Sequence, residues 1–357
     1  MNAKSNTEIF EDFLEDKEEI LEDLETDLIR KFKFLNSNNM CHIKTSEVEG
    51  WLNNFRKTNV HRFFALLVLD SITYRNDEML KKAVLRTLIK NIKPVYEEKF
   101  QSSYLMLDWI EKLKTKDALQ LRYYGVNKDT IMQSSGALLR TLTEIIHQNS
   151  VIDNDEKFID SLNDNFLVII IDDMLGSGDQ FKEFLEKMAR NPKGFKFENV
   201  IYCPLMARDK GLEFLEHQPI YQAYPVKIIP CEILTNDNKL FNSVIIEKYI
   251  ELFNLDKCSI HLNFKNLFKK MNDDFSLSLW IGYKQALLAV IFEWGCPNQT
   301  TSMIYNDTTY TSTNINSPHC QNSCHPHLNN PNGEKGDNHG TIQCRTQTGY
   351  TKQTFIT

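Results

Sequence analysis

Two adjacent carboxylates and a short glycine loop are the residues in this sequence whose types and spacing could do chemistry. Asp172 and Asp173 follow the apolar run Phe166 to Ile171, and Gly176-Ser177-Gly178 comes shortly after them. Carboxylates can accept hydrogen bonds from a diol, and loop amides at the start of a helix can hold a phosphate. Ribose 5-phosphate carries both groups, so the segment Phe166 to Phe181 predicts a ribose-phosphate site.

A parallel sheet is needed to position these groups. The run Phe166 to Ile171 is apolar on both faces, which is typical of a central parallel strand. Further strands are predicted at Leu119 to Gly125, Val200 to Met206 and Val226 to Ile233, and helices at Ser135 to Gln148, Asp179 to Ala189 and Arg208 to Glu216. This alternation favours an α/β fold with a mostly parallel sheet flanked by helices, in which ligands bind at the carboxyl ends of the strands.

Other residues could bind anions at the same edge of the sheet. Ser135 and Gly136 open a predicted helix whose amides could bind pyrophosphate, and Arg140 follows one turn later. The same start is also typical of an ordinary N-cap. Arg208, just past a predicted strand, is a further possible phosphate ligand. A P-loop ATPase is excluded, because no GxxxxGK(S/T) sequence occurs in the chain.

The residues that precede the sheet are helical in pattern. From Ile9 to Leu35, apolar residues recur at steps of three and four among acidic ones, which predicts one long amphipathic helix. This helix either packs on the body of the protein or binds a protein partner. Short helices are then predicted from Ser46 to Phe55, Val60 to Tyr74 and Asn76 to Pro94, in an order similar to a winged-helix module.

A basic strip lies on the last of these predicted helices. Lys82, Arg86 and Lys90, followed by Lys93, are spaced so that they share one helix face. Such a strip could contact the phosphates of a nucleic acid. Such a strip is more often a solvated helix face, and binding of nucleic acid is the alternative interpretation.

The composition limits the remaining classes of protein. Among 357 residues, 41 basic and 48 acidic ones give a formal net charge of -7, so only a local patch could attract nucleic acid. No apolar run reaches the length of a membrane span and no signal peptide opens the chain, which predicts a cytoplasmic protein without a membrane partner. The cysteines form no CxxC and are expected to be reduced. Residues 314–357 predict a disordered polar tail; its histidines and cysteines match no standard zinc spacing, so no metal site is predicted.

The segment around the aspartates resembles a known signature. Ile169 to Asp173 followed by Gly176-Ser177-Gly178 is similar to the phosphoribosyl-pyrophosphate signature of type I phosphoribosyltransferases. A wider resemblance is to the PRTase-CE family, the phosphoribosyltransferase-like proteins of bacterial conflict and antiphage systems. Its marks are Val48 to Leu52 with Phe55, Ser134-Ser135-Gly136 with Arg140, Asp172 to Gln180, Gly282 to Leu287, and Cys296 to Thr300.

The resemblance implies a role for each residue of the signature. As catalytic residues, Asp172 and Asp173 would hold the ribose hydroxyls and stabilise the positive charge that develops on the ring. The 5-phosphate would be wrapped by Gly176, Ser177, Gly178, Asp179 and Gln180, and Mg2+ would clamp the pyrophosphate. Two positions depart from the family pattern, because Gln180 replaces a small hydroxyl residue and Asp179 adds a negative charge beside the phosphate.

These inferences predict a type I phosphoribosyltransferase-like α/β fold preceded by a helical winged-helix-like region. The expected parts are the acidic amphipathic helix in residues 1–40, the helical region in 41–98, the α/β domain in 99–313 and the tail in 314–357. The expected function is binding of a ribose 5-phosphate or phosphoribosyl pyrophosphate ligand, with transfer or cleavage of a ribosyl bond, as an effector in antiphage defence. The alternative is a non-catalytic nucleotide sensor or regulator with a nucleic-acid-binding helical region.

Overall fold

A computed structural model describes residues 4–125, 134–152, 154–190, 197–235, 238–255, 264–274, 282, 284, 286–293, 296–297 and 300–305. The predicted tail, residues 314–357, lies outside the described residues. The helices are α1 (Asn6–Glu15), α2 (Glu18–Ser37), α3 (Thr45–Asn53), α4 (Asn59–Asp70), α5 (Asp77–Thr87), α6 (Lys93–Phe100), α7 (Met106–Lys114), α8 (Ser134–Leu142), α9 (Asp155–Asn163), α10 (Asp179–Ala189), α11 (Asp209–Glu216), α12 (Pro219–Ala223), α13 (Ser243–Phe253), α14 (Phe264–Asp274) and α15 (Ser302–Tyr305). The strands are β1 (Thr73–Arg75), β2 (Leu121–Gly125), β3 (Leu167–Leu175), β4 (Val200–Arg208), β5 (Lys227–Ile228), β6 (Glu232–Leu234) and β7 (Val290–Phe292).

The parallel sheet expected from the sequence is present, and the predicted fold class is confirmed. Its strands run in the order β2-β3-β4-β5, and β6 also pairs with β4. Alternate side chains of β3 enter different cores, since Ile169 and Ile171 pack with α5 and α8 whereas Val168 and Ile170 pack with α9 and α10. Helices therefore cover both faces of the sheet, which is why β3 can be apolar throughout its first half.

The last predicted strand is two short strands rather than one. Sequence analysis expected a strand from Val226 to Ile233, whereas β5 and β6 are separated by Ile229 to Cys231. The Ile229 and Cys231 amides still donate to the carbonyls of Tyr202 and Pro204 in β4, but Pro204 has no N–H to donate back, so the ladder is incomplete across this gap. Beside the gap, the buried Sγ atoms of Cys203 and Cys231 lie 3.7 Å apart as free thiols.

The amphipathic segment at the start of the chain forms two helices instead of the single one expected. Lys17 and Glu18 stand where the apolar stripe would continue, so no buried side chain holds this turn and the helix breaks between α1 and α2. Both helices pack their apolar faces on α4. Glu25, buried at 4% exposure, pairs with Arg56 and with Arg62 at 2.7 Å, which satisfies its charge inside this interface.

Residues distant in sequence complete the core around α4. The predicted helix from Val60 to Tyr74 ends at Asp70, and β1 pairs in parallel with β7. The buried indole N–H of Trp51 donates to the carbonyl of Met303 at 3.0 Å. The winged-helix interpretation and the bounds of the predicted parts stay predictions.

A π-helical turn connects α5 to α6. It spans Leu88–Ile92, and the Lys93 amide donates to the Leu88 carbonyl. Pro94 follows in the first turn of α6, where its missing N–H and its ring would disturb an ordinary α-helical turn. The wider turn lets one helical rod continue along the sheet.

No helix in the described part of the chain has both the length and the apolar character needed to cross a bilayer.

Candidate functional site

The aspartate pair lies inside β3 and not at its end, which corrects the predicted strand boundary. On one side, the pairing with β2 stops at Gly125 opposite Ile171. On the other side, the pairing with β4 continues through Asp172 opposite Pro204 to Leu175 opposite Ala207. The strand continues past Ile171 because β4 supplies backbone partners as far as Leu175. Asp172 and Asp173 therefore lie near the carboxyl edge of the sheet, in the part of β3 that pairs with β4.

Asp172 is fixed by two hydrogen bonds in a buried environment. Asp172 is only 1% exposed. The Tyr202 hydroxyl donates to its Oδ2 at 2.7 Å, and the Asp173 amide donates to its Oδ1 at 3.0 Å. Burial raises the pKa of Asp172 well above its usual range, and the Asp173 carboxylate raises it further, while the bond from Tyr202 opposes the shift. Burial therefore disfavours the ionised form of Asp172, and a nearby cation would favour it.

Asp173 differs from its neighbour in exposure. It is half-buried, whereas Asp172 is buried. The pair therefore combines one carboxylate held by the protein with one that solvent can reach. This combination suits recognition of a polar ligand that carries developing positive charge.

Tyr202 positions Asp172 and was not identified from the sequence. It pairs with Ile170 in register, and Asp172 comes two residues later on the same face of β3. Its ring stacks on Phe181 of α10 with centroids 3.7 Å apart and an interplanar angle of 8°. A tyrosine within the otherwise apolar run of β4 was the available signal, since a buried hydroxyl requires a partner.

The glycine loop packs on the first turn of α11. Gly178 has φ +87°, and a Cβ there would lie 2.7 Å from Phe214 Cδ1. A Cβ on Gly211 of α11 would lie 2.5 Å from the carbonyl oxygen of Gly176. These approaches allow only glycine at both positions, so the loop and α11 fix each other. The Ser177 hydroxyl donates to Asp179 Oδ2 at 2.7 Å and braces the turn into α10.

Lys284 compensates the charge that Asp179 places beside the loop. Its Nζ lies 2.5 Å from Asp179 Oδ2 and 5.0 Å from the centroid of the Phe214 ring. Its side chain is 44% exposed, so the ammonium remains accessible to solvent. The loop therefore combines amides with a cation supplied from a distant part of the chain. Sequence analysis found Lys284 only as part of the Gly282 to Leu287 mark and gave it no role.

The other predicted anion-binding residues lie on the helices that follow β2 and β3. The helix α8 begins at Ser134, so Ser135 and Gly136 are in its first turn, and α8 packs against β2 and β3. Arg140 is exposed on α8, and Gln180 is exposed in the first turn of α10. In a parallel sheet these helix starts lie at the carboxyl edge, as the aspartates do.

The predicted basic strip lies on the helical rod that covers one face of the sheet. Lys82, Arg86 and Lys90 are exposed, whereas Lys93 pairs with Glu97 at 2.7 Å. The apolar side of α5 packs on β4 and α8. The exposed side is therefore available for a partner, and binding of nucleic acid there stays a prediction.

Arg208 is the last residue of β4 and has an unusual environment. It is only 5% exposed, and its Nε has no hydrogen-bond partner among the described residues. Burial lowers the pKa of its guanidinium, and Asp209 opposes that shift.

The described residues contain no group of three or more His, Cys, Asp or Glu side chains that could hold a metal ion by themselves.

Comparison with known proteins adds one match. A family model described as PRTase-CE matches residues 48–313, which is most of the chain and includes β3, the glycine loop and Lys284. No curated protein matches the chain at a significant level.

Proposed function

Because this chain belongs to the PRTase-CE family, we propose that it binds a ribose 5-phosphate of the phosphoribosyl pyrophosphate type at the carboxyl edge of the sheet and transfers or cleaves the ribosyl bond. The observation that carries the proposal is the joint placement of the aspartate pair and the glycine-only loop on the consecutive elements β3 and α10. The carboxylates suit the ribose hydroxyls, and the loop amides with Lys284 suit the 5-phosphate.

The reaction would be a displacement at the anomeric carbon of the ribose. The bond from this carbon to the pyrophosphate oxygen breaks, the electron pair leaves with the pyrophosphate, and the acceptor supplies the pair for the new bond. Positive charge grows on the ring, and Asp172 and Asp173 lie where they can stabilise it. Because burial disfavours the ionised form of Asp172, a cationic or metal-bearing ligand near it is expected to favour its ionisation.

A magnesium ion bound with the pyrophosphate would supply charge neutralisation to the leaving group. Magnesium commonly uses one or two carboxylates together with substrate oxygens rather than a cage of protein ligands. The half-buried Asp173 is the carboxylate that we assign to it, because solvent can reach it whereas Asp172 is buried.

Isothermal titration with phosphoribosyl pyrophosphate and Mg2+ tests the proposal. We expect wild type to bind, and Asp172→Asn and Asp173→Asn to lose at least about tenfold in affinity. Asp164→Asn, which changes an exposed carboxylate at the end of α9, is the matched control and should bind as wild type does. Released pyrophosphate or free base would establish turnover. Failure of wild type to bind would refute the proposal.

A regulator is the second function that an observation favours, because Lys82, Arg86 and Lys90 are exposed on one helical rod. In that case the site reads a nucleotide while the basic strip holds nucleic acid. Binding of DNA that weakens with salt, and is lost when all three charges are reversed, would support it.

For the first function, the resemblance adds the role of an effector in bacterial antiphage defence in the cytoplasm. A protein partner on the acidic outer faces of α1 and α2 is compatible with either function.

A further inference from the structure

Arg208 carries the positive charge at the sheet edge that the proposed function has not used. It follows Ala207, which pairs with Leu175, and it pairs with Leu234 of β6. It therefore lies where the glycine loop leaves β3. Gly211, three residues further on, contacts the carbonyl of Gly176 in that loop. The guanidinium of Arg208 is therefore buried at the carboxyl end of β4, beside the strand that leads into the glycine loop.

The environment of Arg208 is costly unless something binds it. Guanidinium is always charged and carries N–H donors in a planar fork. Buried charges are normally paired, yet Arg208 is 5% exposed and its Nε has no acceptor among the described residues. Asp209, its neighbour in the chain, is exposed and forms no ion pair with it in the described structure. An anionic group of a ligand would provide the missing acceptor.

The position of Arg208 relative to β3 indicates which part of the reaction it serves. The pyrophosphate candidates begin α8, which follows β2 and packs on the β2 side of β3, whereas β4 lies on the opposite side of β3. In a displacement, the acceptor approaches the anomeric carbon from the side opposite to the leaving group. With the pyrophosphate beside α8, the acceptor comes from the side of β4 and β6, where Arg208 lies.

Resting on the proposed function, we infer that Arg208 binds an oxyanion of the acceptor, so that the acceptor is a carboxylate-bearing or phosphate-bearing compound rather than a neutral base. The planar fork of arginine suits a two-oxygen anion, with which it can form paired hydrogen bonds. The 5-phosphate stays with the glycine loop and Lys284, and Arg208 selects the second substrate.

A stability measurement separates this role from a structural one. An arginine that holds the fold together would destabilise the protein when replaced, whereas one that waits for a ligand would not. We expect Arg208→Gln and Arg208→Leu, in the full chain without ligand, to unfold within about 2 °C of wild type or above it. A fall of about 5 °C or more in both variants would assign Arg208 to structure and overturn the inference.

Binding of matched probes tests the acceptor directly. With ribose 5-phosphate and Mg2+ present, nicotinate is compared with nicotinamide, and orotate with uracil, by calorimetry. We expect at least one carboxylate to bind wild type about tenfold more tightly than its neutral partner, and Arg208→Gln to remove that preference. Equal binding of charged and neutral probes, or a preference that survives in Arg208→Gln, would overturn the inference.

Ribose 5-phosphate itself, titrated into both proteins, keeps the two proposals apart. Arg208→Gln should bind it within about twofold of wild type, since the glycine loop is unchanged. A tenfold loss would assign Arg208 to the 5-phosphate and refute its role toward the acceptor, while leaving the proposed function intact. Failure of wild type to bind ribose 5-phosphate would instead count against the proposed function, whatever the carboxylate probes show.

Discussion

Replacing Tyr202 by phenylalanine isolates the hydrogen bond that positions Asp172. The change removes one hydroxyl and keeps the ring, so the stack on Phe181 at 3.7 Å is preserved. The hydroxyl donates to Asp172 Oδ2 at 2.7 Å, and both residues are buried. A hydrogen bond to a charged group contributes about 1.5–3 kcal/mol, so at about pH 8, where Asp172 carries more charge than at low pH, we expect Tyr202→Phe to lower the free energy of unfolding by that amount.

Tyr123→Phe is the matched control in the neighbouring strand. Tyr123 is 1% exposed in β2, and its hydroxyl has no hydrogen-bond partner among the described residues. Its loss should therefore be neutral or slightly stabilising. In urea unfolding with a slope of about 3 kcal/mol per M, Tyr202→Phe should lower the midpoint by about 0.5–1 M, and Tyr123→Phe should leave it unchanged.

The pH dependence supplies a second test of the same bond. The pKa of Asp172 is raised in the folded protein, so ionisation costs stability, and the free energy of unfolding falls as pH rises from the ordinary carboxyl range through the raised pKa. The Tyr202 bond favours the ionised form, so its removal raises the pKa further. The deficit of Tyr202→Phe should therefore be larger at about pH 8 than at about pH 5. Equal midpoints for the two variants, or a deficit that does not grow with pH, would refute the reasoning.

Two further changes probe the glycine loop. Gly178→Ala places a Cβ at φ +87° and 2.7 Å from Phe214 Cδ1, so it should cost about 2–4 kcal/mol of stability and weaken ribose 5-phosphate binding. Adding Phe214→Ala should restore part of the loss, and strictly additive effects in urea unfolding would contradict the contact. Lys284→Met leaves Asp179 facing the phosphate without its cation, and titration should show ribose 5-phosphate binding weakened by about tenfold and the salt dependence reduced. Unchanged affinity would remove Lys284 from the site.

The order of strands and helices could be predicted because it depends on local patterns. The apolar run into β3 and the helix from Asp179 to Ala189 are both visible in single windows of sequence, and α10 has the predicted bounds. Strand ends depend instead on the neighbour. The strand β3 reaches Leu175 because β4 is long enough to pair with it, which no window around Asp172 contains.

The site divides in the same way. The aspartates and the glycine loop are contiguous in sequence, so their chemistry could be inferred before the fold was known. The groups that contact them are distant in sequence. Tyr202 of β4 donates a hydrogen bond to Asp172 of β3, and Lys284, 105 residues after Asp179, forms an ion pair with it. The burial of Arg208, with no hydrogen-bond partner for its Nε among the described residues, is likewise a property of the packed structure, since the sequence showed only an arginine after a strand.

The contact between Trp51 and Met303 can form only after most of the chain has been synthesised. Its partners are 252 residues apart, and the same core contains Phe264 and Ile304 beside the helices made first. At about 5–20 residues per second, a ribosome needs roughly 10–50 s to deliver Met303 after Trp51 has been made. During that interval the apolar side of α4 lacks part of its covering, so chaperone binding to the nascent chain is expected in this window.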